Sequence, residues 1–465
     1  MVFSSLTFLF FFFPVVCVLY FLCKNRVYRN VVLLIASLVF YSWGEPKYIL
    51  LMLAATLAAY LGGLLIDRWR TSPRRAKAAC IVTSLLLVAN LFVFKYLNFV
   101  VENLNLLGLP VKLQQIALPI GISFYTFQIL SYVIDLYRGQ VQLQKNFFYL
   151  ALYVCFFPQL IAGPIVRYQT VEHEIRGRQE TLDDIDAGLR RFIIGLAKKV
   201  ILANNIAVVS ETIYAADPAV FGSAMYWIAA LCYALQIYFD FSGYSDMAIG
   251  IGRIFGFHFL ENFRDPYAAC SITDFWRRWH ISLSSWFRDY IYIPLGGNRV
   301  SKGRWIRNIL VVWGLTGFWH GAQWNFLLWG LYYAALLLLE KLLLHKWLEK
   351  LPRFFQWLYA MILVLVGWVM FNLTDFSQML DALAMMFTFQ ATDWIGVIAA
   401  DTSLLYGLIY LPLGILCCLP QWRRIRLDRS AGAQMVSRLA HLALLALCVI
   451  FLLSSTYNPF IYFRF

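Results

Sequence analysis

The sequence predicts an all-α polytopic membrane protein, a single integral-membrane domain over residues 1–465. Three observations carry that expectation. Hydrophobic residues fill 61% of the 465 positions and aromatic residues 18%, with only 14% charged, a balance far from that of soluble domains. Apolar runs long enough to enter a bilayer recur from end to end. The basic residues gather between those runs, as loop cations do in membrane proteins.

The runs lie roughly at residues 5–23, 30–43, 47–66, 79–97, 116–136, 147–165, 192–212, 223–251, 308–339, 355–373, 403–420 and 436–455. A straight span needs about 20 residues. Several runs are shorter and one is longer, so the expectation is about 10 to 13 crossings or partial crossings. The 30–43 run, and the 147–165 run that ends near Gly163-Pro164, are the expected tilted or re-entrant segments. Leu6 to Leu22 has no basic residue before it and no small-residue cleavage site after it, and reads as a retained first span.

Charge then sets an expected orientation. Lys24, Arg26 and Arg29 follow the first run, and Arg68, Arg70, Arg74, Arg75 and Lys77 form a second cluster. Both are expected in the cytoplasm, with the N-terminus outside. Residues 264–307 form the most basic connection, an expected cytoplasmic amphipathic region. Arg423, Arg424, Arg426 and Arg429 precede a last run, which leaves the C-terminus outside as well.

The net charge of +14 is thereby explained by topology and by anionic lipid head groups, and nucleic-acid binding is excluded for so apolar a chain. Part of the 264–307 cluster also suits a phosphate-rich ligand such as an acyl coenzyme A, although no Gly-rich phosphate loop accompanies it. The nine cysteines have no metal spacing. Most, including Cys17, Cys155, Cys232, Cys417, Cys418 and Cys448, read as small buried hydrophobes. No repeat of 20–50 residues or pair of matching halves occurs. The polar stretch Arg167–Arg191 reads as a solvated connector.

Two histidines stand out. Ile272, Phe275, Trp276, Trp279, Leu283, Trp286, Phe287 and Tyr290 recur at three- and four-residue steps, which predicts one amphipathic helix over 272–290 with His280 at the edge of its apolar stripe. Asp274, Arg277, Arg278, Ser285 and Arg288 fill much of the rest of the wheel, as expected of a helix at the membrane interface or dipping into a cytoplasmic groove. His320 lies within Asn308–Leu339, which holds no Asp, Glu, Lys or Arg. About 12 residues separate it from Arg307, or roughly 18 Å of helix, near the middle of a bilayer. Gly314, Gly317 and Gly321 predict a break close to it. Ionisable groups at that depth are costly and usually functional, and a neutral imidazole there is able to take a proton from a hydroxyl. Packing alone is the competing reading of both histidines.

Asp240 and Asp246 lie in the apolar run Gln236–Met247 and require partners, for which Arg253, Lys198 and Lys199 are available. Asp135 reads as a span-end carboxylate paired with Arg138.

Taken together, several of these segments resemble the membrane-bound O-acyltransferases, and in particular the branch that holds the alginate and peptidoglycan O-acetyltransferase membrane subunits. The resemblance rests on Leu118–Phe124, Leu160–Pro164, Tyr238–Asp246 with its Ser242, Trp276-Arg277-Arg278-Trp279-His280, Leu295-Gly296-Gly297-Asn298-Arg299, Trp319-His320-Gly321 and the terminal Tyr457–Phe463. It implies a ring of helices around a tunnel. It further implies an active-site role for His320 inside the membrane, and a second essential role for His280 on the cytoplasmic side.

Trp276, Arg277, Arg278, Trp279, Trp319, Asp240, Ser242, Asp246 and Asn298 are the donor-binding or tunnel-lining residues that this resemblance suggests. No permanently bound cofactor is implied. The expected donor is acetyl-CoA or another acyl thioester, and the expected partners are membrane lipid, an exported polysaccharide and a periplasmic esterase-like protein, at a bacterial inner membrane. One departure is Phe371-Asn372, where many relatives carry Arg. Two rival functions are D-alanyl transfer from a carrier protein to teichoic acid, and transport of a lipid or glycan.

Overall fold

The structure is a computed structural model. It describes the chain except residues 115, 162, 217–219, 392–395, 397–400, 421–429 and 455–465. The basic group at 423–429, the terminal motif at 457–463 and Ala162 therefore lie outside the described residues. Among the described residues the fold is all-α, and seven helices are long and apolar enough to cross a membrane, with three shorter apolar helices beside them. The protein is a multi-pass membrane protein.

The chain divides into two compact units. The first comprises Met1–Phe192 and Tyr244–Leu260, and the second Ile193–Gly243 and Glu261–Phe465. The first unit holds α1 (Phe8–Phe21), α2 (Arg26–Ser42), α3 (Ile49–Arg68), α4 (Pro73–Lys95), α5 (Leu97–Leu106), α6 (Ile122–Arg138), α7 (Phe147–Cys155), α8 (Phe157–Leu160) and α9 (Tyr168–Gly177). It also takes the start of α10 (Leu182–Ala215) and the end of α11 (Ser223–Ile254).

Pairs of spans approach closely where glycine leaves room. A Cβ on Gly62 of α3 would lie 2.2 Å from Thr83 Oγ1 of α4, and one on Gly188 would lie 2.6 Å from the carbonyl oxygen of Gly250. The 147–165 run, expected to be tilted or re-entrant, is broken into α7 and α8 at Phe156, whose ψ of 111° leaves the helical region; Pro158 then falls in the first turn of α8, where its missing N–H is not needed. Gly121 has φ 75°, and a Cβ there would meet Leu160 O at 2.6 Å. Gly121 is therefore packed against the backbone of Leu160 and Ile161.

The polar stretch after Arg167 is not a solvated connector. Arg178 is 4% exposed, with its Nη1 donating to Asn30 Oδ1 at 2.7 Å and its Nε to Phe255 O at 2.9 Å. Glu180 accepts from Arg29 at 2.6 Å and from Arg26 at 2.5 Å. Charges buried in this way require such partners, and they tie the end of α1 and the start of α2 to the α9–α10 connection.

The second unit completes α10 and contains the first part of α11. It adds α12 (Ile272–Arg278), α13 (Ile281–Phe287), α14 (Lys302–His320), α15 (Trp324–Leu348), α16 (Arg353–Asn372), α17 (Phe376–Phe387), α18 (Thr402–Cys417) and α19 (Gly432–Ser454). The uncharged 308–339 run breaks where expected. Helix α14 ends at His320, and α15 begins four residues later at Trp324. Cys417, expected to be buried, is exposed, whereas Cys155, Cys232 and Cys448 are buried.

Candidate functional site

The sequence periodicity predicts a single helix over 272–290, and the structure corrects it. Trp279 is extended (φ −98°, ψ 130°) and His280 adopts the left-handed region (φ 43°, ψ 56°), which separates α12 from α13. Such a conformation in a non-glycine residue costs about 1–3 kcal/mol and persists only where its surroundings hold it. The chain just after α11 supplies that hold. Arg264 N donates to Arg278 O at 3.0 Å, and Ile281 N donates to Asn262 O at 2.9 Å, one bond on each side of the break.

The short helix α12 is anchored at its start. Ser271 Oγ accepts from Asp274 N at 3.0 Å, the usual N-cap arrangement. Glu340 of α15, only 4% exposed, accepts from Ile272 N at 2.6 Å and from Thr273 N at 3.0 Å. A carboxylate suits the unpaired N–H groups and positive end of a helix.

With α12 held, its apolar side chains enter the unit's core. Trp276 packs edge-on to Tyr333 at 4.7 Å and Trp313 at 4.8 Å between ring centroids. Trp279 lies 4.7 Å from Trp368 and 5.0 Å from Phe263. The break turns His280 inward until it is 1% exposed, edge-on to Phe241 at 4.6 Å. Its Nδ1 lies 3.1 Å from Asn262 Oδ1. Burial pushes the imidazolium pKa down to about 3, so the ring is neutral at physiological pH.

His320 ends α14. That helix meets α15 at a glycine crossing, where a Cβ on Gly317 would lie 2.2 Å from Phe326 O and one on Gly330 would lie 2.3 Å from Trp313 O. The backbones are thus in direct contact one turn before His320. Its imidazole, 5% exposed, is enclosed by Trp319 at 5.0 Å, Phe371 at 5.1 Å and Trp329 at 5.2 Å. Trp319 also stands 6.0 Å from His280. The two histidines, 40 positions apart in sequence, therefore flank one indole.

The other sequence candidates have separate surroundings. Asp240 is paired with Lys199 at 2.7 Å, and both side chains are almost wholly buried. Ser242 is 3% exposed, and its Oγ has no hydrogen-bond partner among the described residues. Arg278 pairs with Asp274 at 2.9 Å, while Arg277 and Asn298 are exposed. Asp246 belongs to the first unit, where its partner is Arg191 at 2.9 Å. Arg253, offered by the sequence as a partner for these aspartates, instead bonds Asp184 at 2.8 Å.

Sequence reasoning missed Asn262, Glu340 and Asn308. Asn308 is fully buried and donates to Leu295 O and Gly297 O, both at 3.1 Å, which holds the Gly296-Gly297 turn. Glu340 did leave a signal, since it is the lone carboxylate at the end of the uncharged run.

Two buried histidines on one indole inside a multi-pass helical protein mark the candidate site. Comparison with known proteins gives the class a name. The membrane-bound O-acyltransferase family profile matches residues 40–380, and the chain belongs to that family and is an O-acyltransferase. It is 43% identical over 399 residues to a probable alginate O-acetylase of Azotobacter vinelandii, covering 85% of this chain and 79% of that protein. It is 39% identical to the probable alginate O-acetylase of Pseudomonas putida over the full length of both chains. A peptidoglycan O-acetyltransferase of Helicobacter pylori is 36% identical over 420 residues, 82% of this chain and 79% of the relative.

Proposed function

We propose that this protein moves an acetyl group from a cytoplasmic thioester, acetyl-CoA, across the bacterial inner membrane for O-acetylation of an exported cell-surface polysaccharide. What supports the polysaccharide as acceptor is the naming of two relatives, one matched over its full length, as probable alginate O-acetylases and of another as a peptidoglycan O-acetyltransferase. The observation that carries the chemistry is the pair of buried imidazoles on Trp319, at 5.0 and 6.0 Å.

In this reading His320, as a neutral base, takes the proton of an acceptor hydroxyl. The hydroxyl oxygen attacks the thioester carbonyl, a C–O bond forms, the C–S bond breaks, and the proton passes to the departing sulfur. His280 serves the same transfer from the cytoplasmic side, with Trp276, Trp279 and the basic 264–307 connection about the donor. The acceptor is a hydroxyl of a periplasmic esterase-like partner or of the glycan itself, and both termini of the chain face outside.

The test uses inverted membrane vesicles carrying the protein and the periplasmic partner, supplied with radiolabelled acetyl-CoA and assayed for base-labile label. Label in partner protein or glycan that depends on this chain is the expected result. No label from correctly inserted protein would overturn the reading. Ester formation from a carrier-protein thioester alone would point to D-alanyl-type transfer, and glycan movement without any new ester would point to transport.

A further inference from the structure

The hydrogen bonds around His280 specify which of its ring nitrogens carries the proton. Asn262 Oδ1 stands 3.1 Å from His280 Nδ1. An asparagine amide can be placed with its oxygen and nitrogen exchanged, but here the neighbours decide the matter. The backbone N–H of Ser282 is directed at the same Asn262 atom at 3.2 Å, and Ser282 Oγ lies 2.8 Å from it. A backbone N–H only donates, so the atom it meets is the amide oxygen. An amide oxygen only accepts, so the Nδ1 that faces it is a donor and holds the ring hydrogen.

A neutral imidazole carries one N–H, which leaves the lone pair on Nε2. That nitrogen is buried and has no hydrogen-bond partner among the described residues. Its neighbours in the ring contacts are Phe241 and Trp319. A buried acceptor without a donor is costly and rarely retained without a use. Asn262 is itself fixed by the main chain, since its carbonyl receives Ile281 N at 2.9 Å. Side chain and backbone of one residue thus clamp the strained turn at His280 and orient its ring.

We infer that Asn262 is a positioning residue for acyl transfer, holding His280 as the Nδ1–H tautomer so that bare Nε2 faces the reacting groups; this rests on the acyltransferase role proposed above for His280. The orientation of a catalytic imidazole by an acceptor on its second nitrogen is a general device of base catalysis.

The tautomer is measurable without activity. In the full-length protein, labelled with 15N-histidine and reconstituted in lipid at neutral pH, the His280 resonances are those lost in His280→Gln. The expected spectrum has a protonated Nδ1 and a bare Nε2. In Asn262→Leu, of similar volume but without the acceptor, the expected result is a mixed or reversed tautomer and a kcat lower by about tenfold to a hundredfold, with KM for the thioester little changed. Asn262→Asp keeps the acceptor and is expected to restore the Nδ1–H signal and most of kcat.

A proton on Nε2 in the wild type would overturn the inference, as would an unchanged tautomer or unchanged kcat in Asn262→Leu. If the leucine variant does not accumulate, the wild-type and Asn262→Asp spectra still decide the tautomer. A correct tautomer in a wild-type protein that forms no ester would sink the acyltransfer role and leave the assignment of the proton standing.

Discussion

Glu340 Oε2 accepts both the backbone N–H of Thr273, at 3.0 Å, and its hydroxyl, at 2.7 Å, which fastens the middle of the second unit's long helix α15 to the first turn of α12. Because α12 leads directly into the break at His280, this carboxylate sets where the histidine begins. Replacing it with alanine leaves several buried donors without an acceptor, each a loss of about 1–3 kcal/mol. Glu340→Ala is expected to lower the thermal midpoint of the detergent-solubilised protein by several degrees and to reduce transfer, with Glu340→Gln intermediate. Wild-type stability and activity in Glu340→Ala would show that α12 is held without it.

The glycine crossing makes a sharper contrast. A Cβ on Gly330 would sit 2.3 Å from a backbone oxygen of Trp313, whereas one on Gly314 would find its nearest neighbour, the flexible Leu327 side chain, at 3.9 Å. Gly330→Ala must push α14 and α15 apart and displace His320, while Gly314→Ala is accommodated. Size-exclusion profiles and transfer rates of the two variants are expected to diverge, with Gly314→Ala like wild type. Equal behaviour would contradict the close contact.

Lys199 and Asp240 offer a test of buried pairing. Removing one partner strands a charge at a cost of about 3–5 kcal/mol, whereas removing both does not. Lys199→Met is therefore expected to accumulate poorly, and Lys199→Met combined with Asp240→Asn to recover much of the folded yield. A double variant no better than the single would assign Asp240 a role beyond pairing.

The ionisation of His280 follows from its surroundings, since Phe241, Trp319, Asn262 and Ser282 offer it no charge. Its second ring proton is bound only below about 3, against an ordinary 6.5, so falling pH does not charge it until far into acid. Its ring 15N shifts are expected to stay constant from about pH 8 to pH 5, where a solvent-exposed histidine would titrate. A midpoint near 6.5 would mean that water reaches the ring.

Much of this was legible in the residues, and the exceptions have physical causes. The break at His320 could be read because glycines and an over-long uncharged run are local signals. The break at His280 could not, because the three- and four-residue spacing of Phe275, Trp276, Trp279 and Leu283 continues straight through it. What bends the chain there is the pair of backbone bonds from residues 262–264, and these are tertiary. The partnership of Asp246 with Arg191 was hidden for the same reason, as 55 positions separate them. Arg178 and Glu180 looked solvated because their partners Arg26, Arg29 and Asn30 lie about 150 positions away.

The most direct test of the central claim is the initial rate of ester formation from labelled acetyl-CoA by His320→Ala, set against wild type at matched levels of inserted protein. A base that moves the acceptor's proton contributes on the order of 10²–10⁴ in rate, so the variant is expected to fall at least a hundredfold while its thermal midpoint stays close to that of wild type. A His320→Ala protein that forms the ester at the wild-type rate would contradict the account and leave His320 as a packing residue among Trp319, Trp329 and Phe371.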